Sequence, residues 1–237
     1  MTTTIRAVLF DLGNTLSVSA SLSDTFTDLA GSPIAVELGL DDHLMADLGG
    51  EIDQSIADLY KGHSTDQPHW LDVWRRPLRR HGIELGSADI ERLCRAHLGH
   101  FVRSCEVAPH SIPLLTYLRE AAIPLGLVSN VTGPVEIFRD DLVRKGLAPY
   151  FSTVIWSGTV GYRKPDRRIF EIAIDKLGLE AGPHVAMVGD SEAADILGGK
   201  GMGFTTVKVG KAVKEAATAA DYAITGPCLL EFFQSNL

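Results

Sequence analysis

From about residue 110 to the end, short apolar runs rich in β-branched residues alternate with stretches whose apolar positions recur every three or four residues. The runs IPLGLVSN (123–130), TVIWSG (153–158), HVAMVGD (184–190), FTTVKV (204–209) and YAIT (222–225) predict strands. The segments near 111–121, 133–146, 166–178, 192–201 and 227–234 predict helices between or after them. This alternation is the pattern of βαβ units in a mostly parallel sheet. Uninterrupted apolar strands such as VAMV fit a sheet covered by helices on both faces. The opening IRAVLFD has the same texture and is expected to join that sheet.

Residues 17–105 have a different rhythm. No strand-like run interrupts them, and apolar positions follow helical spacing: Ile52, Ile56 and Leu59, then Leu71, Trp74 and Leu78, then Ile90, Leu93 and Leu98. SLSDTF and LGSADIERL carry N-cap residues. The pattern predicts an all-α insertion of four or five helices after the first strand. The expected organisation is an α/β, doubly wound core of residues 1–16 and 106–237, with a helical cap of residues 17–105. Ligands of open parallel sheets bind at the carboxyl ends of the strands, and an insertion leaving the end of the first strand would sit above that site.

Composition narrows the function classes. The chain has 237 residues, 45% of them apolar and 22% charged, an ordinary globular balance. A net charge of −8 argues against nucleic acid or an anionic membrane as the main partner. The opening MTTTIRAVLFDLG lacks a basic region followed by a long apolar stretch, and no window approaches a membrane span, so a cytoplasmic protein is expected. Cys94, Cys105 and Cys228 share no metal-ligand spacing and are expected as free thiols.

Four polar residues fall at the ends of four predicted strands: Asp11 after VLF, Ser129 after LGLV, Lys164 shortly after TVIWSG, and Asp190 after VAMVG. Any one of them could merely mark a strand reaching solvent. Parallel strands bring such ends together, however, and these four are chemically complementary. Two carboxylates can share Mg²⁺, which prefers hard oxygen ligands. A hydroxyl and an ammonium can hold the equatorial oxygens of a phosphoryl group, and a carboxylate can serve as nucleophile.

With VLFDLGNTL, LVSN, GYRKPDRRIF and VGDSEAAD in this order, the chain resembles the haloacid dehalogenase-like superfamily over its whole length, and the insertion resembles that family's C1 cap. The resemblance implies a Rossmann-like core and a Mg²⁺-dependent phosphatase acting on a small phosphorylated metabolite, as monomer or homodimer. It implies Asp11 as nucleophile and Lys164 as the cation neutralising it and the transferring group. Thr15 and Ser129 would bond the phosphoryl oxygens, helped by backbone N–H groups after Asp11 and at Asn130. Asp11, Asp190 and the backbone carbonyl of Gly13 would hold the metal, with Ser191 and Asp195 in support.

The first motif departs from the family's usual Asp-x-Asp-Gly-Thr. Here it is Asp11-Leu12-Gly13-Asn14-Thr15. Asn14 can stand where glycine is usual, because asparagine tolerates the left-handed conformation. Gly13 keeps the carbonyl but lacks the carboxyl that would protonate the leaving group, a contribution of about 10²–10⁴ in rate. Three outcomes follow: a substrate with a good leaving group, a substitute acid from the cap or from the segment after Thr15, or a weakly catalytic phosphate-binding protein. The family's 2-haloacid dehalogenases are a further alternative, although they carry an aromatic residue at the position of Gly13. In the insertion, WLDVWRRPLRRHG offers Trp70, Trp74, Arg75, Arg76, Arg79 and Arg80, either as an anion pocket or as an amphipathic helix with a solvated basic face. His43, His63 and His69 are possible substitute acids, and Lys61 is the insertion's single lysine.

Overall fold

The structure is a computed structural model and describes residues 4–61, 64–210 and 218–237. The strands are β1 (Ala7–Phe10), β2 (Ser17–Val18), β3 (Glu106–Val107), β4 (Leu125–Ser129), β5 (Thr153–Trp156), β6 (Val185–Gly189), β7 (Thr205–Gly210) and β8 (Tyr222–Thr225). Among the described residues, five helices lie between β2 and β3: α1 (Leu22–Thr27), α2 (Pro33–Glu37), α3 (Asp42–Lys61), α4 (Trp70–Arg80) and α5 (Ser87–Ser104). The remainder are α6 (Ser111–Glu120), α7 (Val135–Arg144), α8 (Ser157–Val160), α9 (Arg167–Lys176), α10 (Leu197–Gly201) and α11 (Leu229–Asn236).

Six strands form one parallel sheet in the order β5-β4-β1-β6-β7-β8. Strand β1 shows why the run AVLF ends up at its centre. All four residues are buried, and alternate side chains enter opposite faces. Val8 and Phe10 pack with Leu114, Leu118, Leu142 and Phe233, from α6, α7 and α11. Leu9 packs on the other face with Ile169, Phe170 and Ile174 of α9. A polar residue within this strand would be unpaired on one face or the other, so Asp11 is the first position at which a carboxylate can stand.

The chain passes from β4 to β5 on one side of β1, then crosses to β6, β7 and β8 on the other. The ends of β4, β1 and β6 therefore flank the place where the direction of winding reverses, the crevice in which open α/β sheets bind ligands.

The five helices between β2 and β3 have an apolar cluster of their own, built on Phe26, Met45, Leu48, Ile52, Trp74, Leu78, Ile90 and Leu93. Helix α1 is capped by Ser21, whose Oγ accepts from Asp24 N at 3.2 Å. Helix α5 departs from expectation, because Gly86 occupies its cap and Ser87 is already helical. The sequence also conceals a small antiparallel ribbon: Ser17 pairs with Val107 and Val18 with Glu106, closing the two ends of the helical insertion. Two-residue strands carry no periodicity to read. The segment expected as one helix at 192–201 begins as a wider π-type turn over Glu192–Ile196 before continuing as α10.

Cys94, Cys105 and Cys228 are free thiols. Among the described residues no helix is long and apolar enough to cross a membrane.

Candidate active site

The strand ends bring Asp11, Ser129, Lys164, Asp190 and Asp195 to one cavity. Asp11 follows β1 and extends its ladder by one bond, its N–H donating to Val188 O at 2.9 Å. The ammonium of Lys164 donates to Asp11 Oδ1 at 2.7 Å and to Asp195 Oδ1 at 2.6 Å. The second oxygen of Asp195 accepts from the Ser191 N–H at 2.9 Å. Ser191 caps the π-type turn, its Oγ accepting from Ala194 N at 3.2 Å. That turn swings Asp195 back beneath Gly189, so closely that a Cβ on Gly189 would meet the carboxylate at 2.3 Å. Glycine at 189 is therefore a packing requirement of the ion pair.

The loop carrying Lys164 is tied to the end of β4. Asn130 accepts from Lys164 N at 2.8 Å and donates Nδ2–H to Lys164 O at 3.1 Å. Asn130 was expected to contribute its backbone N–H, whereas its side chain proves to be the tether for the lysine loop.

Burial governs the electrostatics. It raises the Asp11 carboxyl above its ordinary range, with Lys164 pulling the other way and Asp190 adding repulsion. Asp190 is carried up to about 6 by burial and by the charge of Asp195, against Lys164 and a hydrogen bond from Asn14. Asp195 is likewise raised to about 6, by burial first, with Lys164 opposing and Asp11 adding. Burial disfavours the charge of Lys164, but Asp11 and Asp195 outweigh it and raise the ammonium above the usual lysine range. Carboxylate oxygens of Asp11, Asp190 and Asp195 lie within 4.8 Å of one another. Three acids thus surround one lysine, which leaves an excess of negative charge suited to a cation.

The turn after Asp11 works as the sequence requires. Asn14 adopts φ +53°, in the left-handed region, and its Oδ1 accepts from Ser19 N at 3.3 Å. Gly13 lines the cavity outside that region, so its backbone does not demand glycine. A Cβ there would lie 3.2 Å from Ser19 Oγ. Thr15 departs from expectation. The turn sends its side chain inward, fully buried and away from the cavity lining, and its hydroxyl has no hydrogen-bond partner among the described residues. Its carbonyl accepts from His110 Nε2 at 2.9 Å.

The cavity encloses about 380 Å³, the volume of a small-metabolite site. The helical insertion supplies an apolar wall of Leu22, Ile56, Leu98 and Phe101. Among the described residues, the candidates drawn from the insertion's tryptophans, arginines and histidines do not line it. Trp74 is buried in the insertion's own cluster. Arg75, Arg79 and Arg80 pair with Asp72, Glu84 and Glu51 at the surface. His43 is exposed beside Asp47, and His69 caps α4, accepting from Leu71 N. His63 and the Lys61 side chain lie outside the described residues. Sequence reasoning missed Ser19, Phe138, Asp141 and Lys145, all of which line the cavity. The signal for the last three was the stripe 138, 141, 145 on the helix after Ser129-Asn130, positions that share one helical face.

Comparison with known proteins agrees with this architecture. The family profile described as haloacid dehalogenase-like hydrolase matches residues 5–203, and the chain belongs to that family of hydrolases. The pyrimidine 5'-nucleotidase YjjG of Escherichia coli is 28% identical over 63% of this chain and 69% of its own length. The glyceraldehyde 3-phosphate phosphatase of Methanopyrus kandleri is 29% identical over 86% of this chain and 84% of its own. Among solved structures, a HAD phosphatase from Thermococcus onnurineus superposes with a TM-score of 0.68 at 27% identity, covering 96% of this chain and 97% of that one.

Proposed function

We propose that this chain is a Mg²⁺-dependent phosphatase that hydrolyses a small phosphorylated metabolite through an aspartyl-phosphate on Asp11. The observation that carries the reading is the buried chain Asp11–Lys164–Asp195, with Asp190 beside it, at the ends of β1 and β6 in a metabolite-sized cavity. Relatives named as phosphatases at near-full coverage support the same chemistry. The helices of residues 17–105 act as the cap, closing the site with their apolar wall.

In this reading an oxygen of Asp11 attacks phosphorus, and the bond from phosphorus to the leaving oxygen breaks. Lys164 orients Asp11 and balances charge on the transferring group, while Asp195 and Ser191 hold the lysine in place. Ser129 and the N–H groups beside it receive phosphoryl oxygens. Water then attacks the aspartyl-phosphate, the bond from phosphorus to Asp11 breaks, and the carboxylate is restored with release of phosphate. The donor set fits Mg²⁺: Asp11, Asp190 and the Gly13 carbonyl are hard oxygen ligands in a site with surplus negative charge. When bound, the ion would offset charge on the phosphoryl oxygens and the nucleophile.

Gly13 supplies no carboxyl to the leaving oxygen. Ser19 Oγ stands where a side chain at 13 would extend, and an aliphatic hydroxyl can pass on a hydrogen bond but does not ionise near neutral pH. The site therefore favours substrates whose leaving oxygen is already acidic, such as aryl, acyl or anomeric sugar phosphates. Phosphate release with Mg²⁺ over a panel from acyl to alkyl phosphates tests this. The reading expects turnover concentrated at the acidic end and abolished by EDTA. Turnover of a 2-haloacid that survives EDTA would replace it with the dehalogenase reading, and phosphate binding without any turnover would replace it with that of a binding protein.

A further inference from the structure

We infer that Lys145 forms an anion subsite in the same cavity, which receives a second, carboxylate-bearing end of the substrate. The inference rests on the phosphatase reading and deepens it by naming a substrate class: phosphate monoesters that carry a distal carboxylate.

Six charged side chains line the cavity among the described residues. Asp11, Lys164, Asp190 and Asp195 form the strand-end cluster, and the other two are Asp141 and Lys145. Helix α7 carries Phe138 and Asp141, and its C-cap residue Lys145 continues the same face. Lys145 lies seven residues beyond Phe138, about 10 Å further along the helix axis, away from the Ser129-Asn130 end. Its side chain is only 5% exposed, and that of Asp141 4%. Around them the wall is Val102, Phe101, Leu98 and Phe138, which offer a carboxylate no competing charge.

The local charge balance leaves Lys145 in excess. Asp141 accepts from Arg144, through both Nε and a terminal nitrogen on Oδ1, and from Lys145 on Oδ2. One carboxylate thus faces two cations, and the triad carries one net positive charge. Arg144 is half-exposed and can serve Asp141 alone, whereas Lys145 is buried against the cavity. An ammonium has three donors. Two are spent, on Asp141 Oδ2 and on Val102 O at 3.2 Å, and no third acceptor is bonded to it among the described residues. A buried cation with a donor to spare, at the edge of an apolar metabolite-sized cavity, selects an anion that brings its own oxygens. Lys164 cannot play this part, because Asp11 and Asp195 already accept from its ammonium.

The test compares para-carboxyphenyl phosphate with its methyl ester, for the full-length protein, Lys145→Met and Lys145→Arg. These substrates have acidic leaving groups, so the missing acid at Gly13 does not limit them. The wild type is expected to favour the carboxylate in kcat/KM. That preference should fall tenfold or more in Lys145→Met, chiefly through KM, and return in Lys145→Arg. A lysine that merely holds the end of α5 through Val102 O would lower Tm and weaken both substrates equally, and that result overturns the subsite. Calorimetric titration with the unreactive para-carboxyphenyl phosphonate and its methyl ester makes the same comparison without turnover. Phosphate release from neither substrate would overturn the phosphatase reading, whereas binding with no carboxylate preference overturns the subsite alone.

Discussion

Thr65 Oγ1 donates to Asp166 Oδ2 at 2.6 Å, joining the helical insertion to the loop that carries Lys164. The bond does not stand alone. Arg163 N donates to Thr65 O and Gln67 N to Gly161 O, both at 2.9 Å, and Asp66 pairs with Tyr162 in an antiparallel bridge. Arg168 completes the clasp, its guanidinium 3.6 Å over the Tyr162 ring and hydrogen-bonded to Asp166, whose carboxyl it holds well below the usual range. Contact between the insertion and the catalytic face is thus reported directly to the lysine loop.

Thr65→Val removes the hydroxyl and keeps the shape. A hydrogen bond to a charged group is worth about 1.5–3 kcal/mol, less where it is partly exposed, so about 1 kcal/mol is expected here. Steady-state kinetics should show a loss of about fivefold in kcat/KM, with Tm lowered by about 2–4 °C. Unaltered kinetics would mean that the clasp does not help to set the position of Lys164.

Gly13→Asp, combined with Ser19→Ala to clear the 3.2 Å contact, restores a carboxyl beside the nucleophile. The backbone at 13 accepts a side chain. Turnover of alkyl phosphates should rise by about 10²-fold, toward the range of general acid catalysis, while aryl phosphates gain little. No gain on alkyl phosphates would show that another group already supplies the proton.

Lys164→Met leaves Asp11 and Asp195 buried without their shared cation. Removing one partner of such a pair costs about 3–5 kcal/mol, and urea unfolding should show a loss of this order. Adding Asp195→Asn to that variant removes one of the stranded charges, so the double variant should be more stable than Lys164→Met alone. Additive losses would contradict the coupling.

His97 lies in the insertion's core between Phe26 and Trp74, its Nε2 within 3.0 Å of both Thr25 Oγ1 and Leu22 O. Burial lowers it from 6.5 to about 4. Between those values the unfolded chain binds the proton and the folded chain does not. Stability therefore falls as pH drops from 6.5 toward 4, by about 3 kcal/mol in full. Asp190 and Asp195 shift in the opposite sense, so the measurement is the difference between wild type and His97→Gln. The gap in unfolding free energy between the two should narrow as pH falls, and a constant gap would contradict the assignment.

Much of the fold was legible because its central strands, β1, β4 and β6, are buried on both faces. VLF and VAMV had to be continuous apolar runs, and each had to end at its first carboxylate or glycine. The residues at those ends could be read from the same fact, since a parallel sheet places them side by side. Other features were hidden for physical reasons. The inward path of Thr15 depends on the hand of the turn at Asn14, which residue types alone do not reveal. The ribbon of Ser17–Val18 with Glu106–Val107 is too short to have a period. Lys145 reads in sequence as an ordinary basic residue at a helix C-terminus, where the dipole favours it. Only tertiary packing shows that its side chain is buried against the cavity. The clasp at Thr65 joins residues about one hundred positions apart, with no local pattern at either end.

A phosphatase of this kind phosphorylates Asp11 during turnover. The most direct measurement is an acid quench of the enzyme turning over an aryl phosphate with Mg²⁺, followed by mass spectrometry of its peptides. A phosphoryl adduct is expected on Asp11, absent when EDTA is present and absent in Asp11→Asn, which should release no phosphate. Phosphate release by Asp11→Asn at the wild-type rate, or an adduct on a residue other than Asp11, would contradict it.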